Sequence, residues 1–110
     1  KYPEYFDDIV GVSKDKDAKL QDIHIRIYEK YKFGLVTTKP IHNKQQTVFE
    51  FDEAKKYGEI KLTVRPNNEL YGQLLHYGEA LEVVSPPEVR DEMRKRIEDM
   101  LGRYKIPEIK

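Results

Sequence analysis

Isoleucine stands at every second position from 23 to 27, with His24, Arg26 and Tyr28 on the alternate positions. A period of two sends successive side chains to opposite faces of a pleated strand, so this segment has one apolar face and one polar face. β-Branched side chains suit that conformation because they pack well on a pleated surface. The same alternation recurs at Ile60, Leu62 and Val64, set against Lys61, Thr63 and Arg65. It recurs again in residues 45–52, where Thr47, Phe49 and Phe51 are expected on one side. Half-buried strands require a sheet with one covered face, and the remaining residues must supply the cover.

Helical spacing fills the intervals. Residues 28–37 place Tyr28, Tyr31, Leu35 and Val36 near one helical face; Gly34 weakens the pattern and Pro40 ends it. Pro66 breaks the third strand, and Asn67 or Asn68 can cap a helix over residues 69–77 with Leu70, Leu74, Leu75 and Tyr77 on its apolar face. Gly78 stops that helix, and residues 80–84 read as a fourth strand. Ser85 lies three residues before Glu88, which predicts a capping box with Pro86 at the first helical position. In the closing helix, Val89, Met93, Ile97, Met100, Leu101 and Tyr104 form one apolar stripe. Its other face carries the acid-first pairs Asp91–Lys95, Glu92–Arg96 and Asp99–Arg103.

The order is strand, helix, strand, strand, helix, strand and an extra helix. It predicts an α+β fold, a ferredoxin-like split βαβ sandwich (β-α-β-β-α-β) with an additional C-terminal helix, over residues 22–105. Two helices are expected to cover one sheet face and leave the other open. Residues 1–21, polar around 13–17, read as a connector, and residues 106–110 as a tail.

Composition narrows the function classes. Among 110 residues, twenty basic and twenty acidic side chains cancel, so no long-range field draws the chain to duplex DNA or to a membrane. The absence of cysteine excludes disulfides, thiolate metal sites and cysteine nucleophiles, and suits a cytoplasmic protein. No apolar run approaches a membrane span. Nucleophilic catalysis needs an activated hydroxyl beside a base, and the only serines are Ser13, in the connector, and Ser85, at the cap. His24, His42 and His76 fall on a strand, a loop and a helix without metal-ligand spacing, Asp7 and Asp8 are neighbours that do not converge, and no glycine-rich phosphate loop follows a strand. The chain is expected to be no enzyme and to need no cofactor or metal.

Binding is the remaining class. If the first and third strands are neighbours, His24, Arg26, Lys61 and Arg65 form a small positive patch on the open face, suited to an anionic nucleotide or single-stranded nucleic acid. The plainer reading is a solvated or partner-covered face on which Glu50 and Glu82 pair the basic residues. One tyrosine among polar groups makes a poor RNA-stacking surface, and Glu29-Lys30-Tyr31-Lys32 is not the glycine-rich anion loop of acylphosphatases.

Three runs in the last third of the chain are Leu74-Leu75-His76-Tyr77-Gly78, Leu81-Glu82-Val83-Val84-Ser85-Pro86 and the charged helix from Glu88 to Tyr104. Lys39-Pro40-Ile41-His42 and Tyr5-Phe6-Asp7-Asp8-Ile9-Val10-Gly11-Val12 precede them. In this order the runs resemble the C-terminal extension, the WCX domain, of WYL-domain transcriptional regulators of the Bacteroides type. A tryptophan often found before the leucine pair is replaced by Gly72-Gln73, and the Trp-Tyr-Leu tripeptide is absent. The resemblance implies an upstream WYL domain and winged helix, so that the chain is a fragment of a longer protein. It also implies a role in homodimerisation and a border on the effector groove; Lys39 and His42, on the loop that the resemblance marks, are further candidates for ligand binding. Direct duplex binding by this fragment is not expected. A stand-alone ACT-like small-molecule-binding domain and a purely structural dimerisation module are the alternatives.

Overall fold

The computed structural model describes residues 19–105. Most of the expected connector, including Asp7, Asp8 and Ser13, and the expected tail at 106–110 lie outside the described residues. The elements are β1 (Gln21–Ile27), α1 (Lys30–Thr38), β2 (Gln45–Asp52), β3 (Tyr57–Val64), α2 (Asn68–Leu75), β4 (Leu81–Ser85) and α3 (Pro87–Arg103). A single turn of 3-10 helix, Gly78–Ala80, joins α2 to β4. The four strands form one antiparallel sheet in the order β2-β3-β1-β4.

The two sequence-alternating strands are its centre. Ile23 faces Leu62 and Ile25 faces Ile60 across the β1–β3 pair. All four are fully buried, together with Ile27. Beneath them lie Phe33 and Val36 of α1, Leu70, Tyr71 and Leu74 of α2, and Val89 and Met93 of α3. All three helices therefore cover one side of the sheet, and the opposite side is left to polar and aromatic residues.

Several local expectations change in three dimensions. α1 starts at Lys30, and its buried residues are Phe33 and Val36, while Tyr31 and Leu35 are exposed. The selection is made at long range: Gly58 on β3 has no Cβ, and a Cβ there would lie 2.5 Å from the Phe33 ring. In β2 the register shifts between Thr47 and Phe49 and again before Asp52. These irregularities break the period of two, so Phe51 packs against Phe33 on the core side, and Phe49 packs against Tyr57 on the open side. The hairpin closes through Asp52, whose Oδ1 accepts from the Ala54 and Lys55 N–H groups, with Lys56 in the left-handed region at φ 71°.

Asn67 caps α2 as expected, its Oδ1 accepting from Leu70 N–H at 2.8 Å, and Gly78 ends the turn region at φ +61°. The Ser85–Glu88 capping box does not form. Ser85 is still in β4, paired with His24, so its backbone belongs to the sheet. Pro86 is the N-cap without a side-chain bond, and Pro87, one residue later than predicted, opens the helix. On α3, Glu92–Arg96 closes at 2.7 Å, and Arg94–Glu98 closes at 2.8 Å in place of the flanking predicted pairs.

Candidate functional site

The open sheet face is built by the polar residues of β1 and β3. Antiparallel register places His24 opposite Lys61 and Arg26 opposite Glu59. Glu59 is the central group. Its Oε2 lies 3.1 Å from His24 Nδ1, and its Oε1 accepts from Arg26 Nε at 3.3 Å. The Glu59 side chain is 13% exposed, against 35% for each partner, so the carboxylate sits deeper than the cations it joins. The Arg26 guanidinium also lies over the Tyr57 ring, 4.5 Å from its centroid. Tyr57 touches Phe49 on one side and Tyr28 on the other, with centroids 5.6 Å and 5.4 Å apart, which makes an aromatic row across the sheet.

Glu82 on β4 closes the row. It accepts from the Tyr28 hydroxyl and from Arg90, and Arg90 Nη1 also donates to the Val83 carbonyl at 2.9 Å. The Tyr28 and Arg90 hydrogen bonds hold the Glu82 carboxyl below its ordinary range. Burial, and then the Glu82 contact, push the Tyr28 hydroxyl upward. Arg90 comes from α3, so this cluster also ties the last helix to the edge strand.

The six candidate residues divide into separate places. His24, Arg26 and Lys61 share the open face, as predicted. Arg65 lies just beyond the end of β3, six residues from the position opposite Arg26. That is about 20 Å along an extended strand, so the four basic groups line the face rather than converge. Lys39 and His42 are elsewhere, in the α1–β2 connection, beside α2 on the helix-covered side. Of the expected carboxylates, Glu82 stands opposite Arg26 on β4 but bonds Tyr28 and Arg90, and the carboxylate that holds His24 and Arg26 is Glu59. The alternation at Ile60, Leu62 and Val64, extended two residues back from Lys61, would have found it.

The connection from α1 to β2 is tightly held. Gln45 accepts from Ile41 N–H at 2.8 Å and donates to the Val36 carbonyl at 3.0 Å. His42 Nδ1 accepts from Lys44 N–H at 3.1 Å, which leaves Nε2 to carry the proton of the neutral ring. Between this loop and α2 runs a cleft with two lobes. One, of about 520 Å3, is lined by residues that include Lys39, Ile41, Glu69, Gln73, His76 and Tyr77. The other, of about 430 Å3, shares Ile41, Glu69 and Gln73 and reaches His42, Asn43 and Asn67.

A third surface is apolar. The α3 stripe is covered only in its first half. Val89 and Met93 are buried, whereas Ile97, Met100, Leu101 and Tyr104 are 49%, 47%, 67% and 81% exposed. Leu81 and Val83 of the edge strand join Met93 and Ile97 in a shallow groove of about 220 Å3. Among the described residues no cluster of histidine and carboxylate groups could hold a metal ion, and no helix is long and apolar enough to cross a membrane.

The WCX domain family model matches residues 20–101, from the last residue before β1 to the last turn of α3. No curated protein matches the chain. The match covers well over half of the sequence, and the chain belongs to the WCX domain family.

Proposed function

We propose that this WCX domain is the non-catalytic C-terminal regulatory module of a WYL-type transcriptional regulator, joining two copies and coupling their arrangement to an effector. On this reading the order β2-β3-β1-β4 under alternating helices is a ferredoxin-like split βαβ sandwich, and α3 is an addition to it. The observation that carries the proposal is the uncovered half of α3. Four large apolar side chains on one helical face are a recurrent mark of a protein interface. A stripe along one helix meets itself when two copies pack about a two-fold axis, which is the usual geometry of a homodimer. The salt-bridged flank Arg94–Glu98 and Glu92–Arg96 supplies a polar rim.

Effector coupling falls to the open sheet face. His24, Arg26 and Lys61, with Arg65 at the far end, offer donors to an anionic nucleotide or single-stranded nucleic acid, and Tyr28, Tyr57 and Phe49 offer aromatic surface. Such a ligand must compete with Glu59 for His24 and Arg26, which favours modest affinity. The same pairing favours a second reading, a structural dimerisation module whose sheet face packs on a neighbouring domain without ligand. In the full-length regulator, an effector response unchanged by Arg26→Ala selects the second reading.

Light scattering tests the dimer directly. At about 100 μM, well above a micromolar Kd, the chain should elute as a dimer. Leu101→Glu, which places a charge in the apolar stripe without touching the core, should elute as a monomer with unchanged circular dichroism. A wild-type monomer at that concentration refutes the role assigned to α3.

A further inference from the structure

On the sheet face His24 and Arg26 share Glu59, whereas several polar groups of the cleft beside α2 have no such partner. Lys39, Glu69, Gln73 and His76 line the larger lobe, and none makes a side-chain hydrogen bond or ion pair among the described residues. Their backbone, by contrast, is fixed. Gln45 pins the loop at Ile41 and Val36, His42 pins Lys44, and Lys44 accepts from the Thr63 N–H at 3.3 Å. Asn67 fixes the start of α2. The cleft is thus an open groove on a fixed frame: Lys39, Glu69, Gln73 and His76 are exposed along it, with the His76 ring edge-on to Tyr77 at 5.5 Å.

The charges select the ligand class. Lys39 stands on the loop wall and Glu69 on the α2 wall, and the two do not pair. A simple anion drawn to Lys39 meets the Glu69 carboxylate in the same lobe, and a simple cation meets the ammonium group. A molecule carrying both signs satisfies both walls. Pro40 and Ile41 add a short apolar surface to the lobe, and Gln73, His76 and Tyr77 add further hydrogen-bonding groups. A lobe of about 520 Å3 lies within the ordinary range for small-molecule sites. We propose that this cleft binds a zwitterion of amino-acid size, with its carboxylate at Lys39 and its ammonium at Glu69.

Gly72 makes the proposal testable without unfolding the domain. It lies within α2 and lines the lobe, and a Cβ added there meets nothing within 4 Å. A leucine at this position fills the cleft while removing a poor helix former. The site lies apart from the α3 stripe, so it goes beyond the dimer reading, and light scattering reports on that reading independently.

The test is an amide NMR titration of the full chain with each common amino acid, using acetate and methylammonium as single-charge probes. At least one amino acid should produce saturable shifts confined to residues 39–44 and 69–77, with acetate and methylammonium at least about tenfold weaker. Lys39→Gln and Glu69→Gln should each weaken binding about tenfold, and Gly72→Leu should abolish it while melting no lower than wild type. No saturable shift by any amino acid up to about 10 mM overturns the proposal. Equal binding of acetate overturns it in favour of a simple anion site, and undiminished binding by Gly72→Leu overturns the location.

Discussion

Replacing Gly58 by alanine should destabilise this domain, although alanine is ordinarily the better residue inside a strand. The ordinary gain is about 0.5–1 kcal/mol, from the smaller backbone entropy lost on folding. Gly58 does not need the left-handed backbone region; it needs the absence of a side chain. A Cβ there would stand 2.5, 2.8 and 2.9 Å from three atoms of the Phe33 ring. Carbon atoms pack comfortably at about 3.5–4.0 Å, so the ring must retreat by roughly 1 Å. It has nowhere to go: Phe33 is 3% exposed and lies against Phe51, with centroids 6.4 Å apart. Overpacking of this kind costs about 1–3 kcal/mol. Set against the backbone gain, the net loss centres on about 1 kcal/mol, or a fall in Tm of roughly 4–8 °C for a domain of this size. Urea denaturation followed by circular dichroism measures it, with an unchanged m value showing that only stability has moved. A second arm separates the contact from any general intolerance of position 58. Phe33→Leu removes the ring edge, and in that background the alanine should be neutral or mildly stabilising, a coupling of about 1 kcal/mol or more. Gly58→Ala at or above wild-type stability, or an equal cost in both backgrounds, refutes the reasoning.

The two caps give opposite expectations. Asn67→Ala removes the acceptor of the Leu70 N–H and should cost about 1 kcal/mol, whereas Ser85→Ala should change stability by less than about 0.5 kcal/mol because Ser85 caps nothing; paired urea denaturation curves decide. Stability should fall at both ends of the pH range through the Tyr28–Glu82 contact. Glu82 titrates lower in the folded chain than in the unfolded one, so its contribution is present above the ordinary value of 4.5 and is lost as pH drops below it. Tyr28 titrates higher when folded, so its contribution holds below the ordinary value of 10.0 and is lost as pH rises past it. Glu82→Gln should flatten the acid limb of a Tm-against-pH profile and Tyr28→Phe the alkaline limb; unchanged limbs in both variants would contradict the contact.

Features held by local repetition were legible in the sequence. Ile23, Ile25 and Ile27 needed only a period of two to be assigned to a buried face, and Asn67 needed only its place between a strand and a helix. Features set at long range were not. Phe33 is buried in preference to Leu35 because a glycine 25 residues later leaves room for a ring, and nothing within α1 records that. Ser85 carries a sound local capping signal, but its pairing with His24 keeps it in the sheet and moves the helix start by one residue. The β2 irregularities are equally silent, since Thr47, Phe49 and Phe51 alternate correctly until the partner strand shifts register. The candidate site divides in the same way. The facing of His24 and Lys61 follows from alternation, but the distance of Arg65 from Arg26 and the placement of Lys39 and His42 beside α2 depend on how the elements pack.

That division bears on how a module of this kind can transmit anything. A ligand shifts an equilibrium only through a difference in affinity between two arrangements. On the sheet face Glu59 already answers His24 and Arg26, so a ligand there acts through what its displacement of that partner moves. Arg90 links that face to α3. It leaves α3 to hold Glu82 and the Val83 carbonyl on the edge strand, and Glu82 in turn holds Tyr28, which touches Tyr57. An anion on the sheet face that draws Arg26 away from Tyr57 would loosen the aromatic row, and the effect would reach α3 through Tyr28, Glu82 and Arg90. The uncovered stripe of Ile97, Met100, Leu101 and Tyr104 is on that same helix. The chain of contacts from the open face to the helix of the proposed dimer surface is therefore short, and it passes through the Glu82 carboxylate.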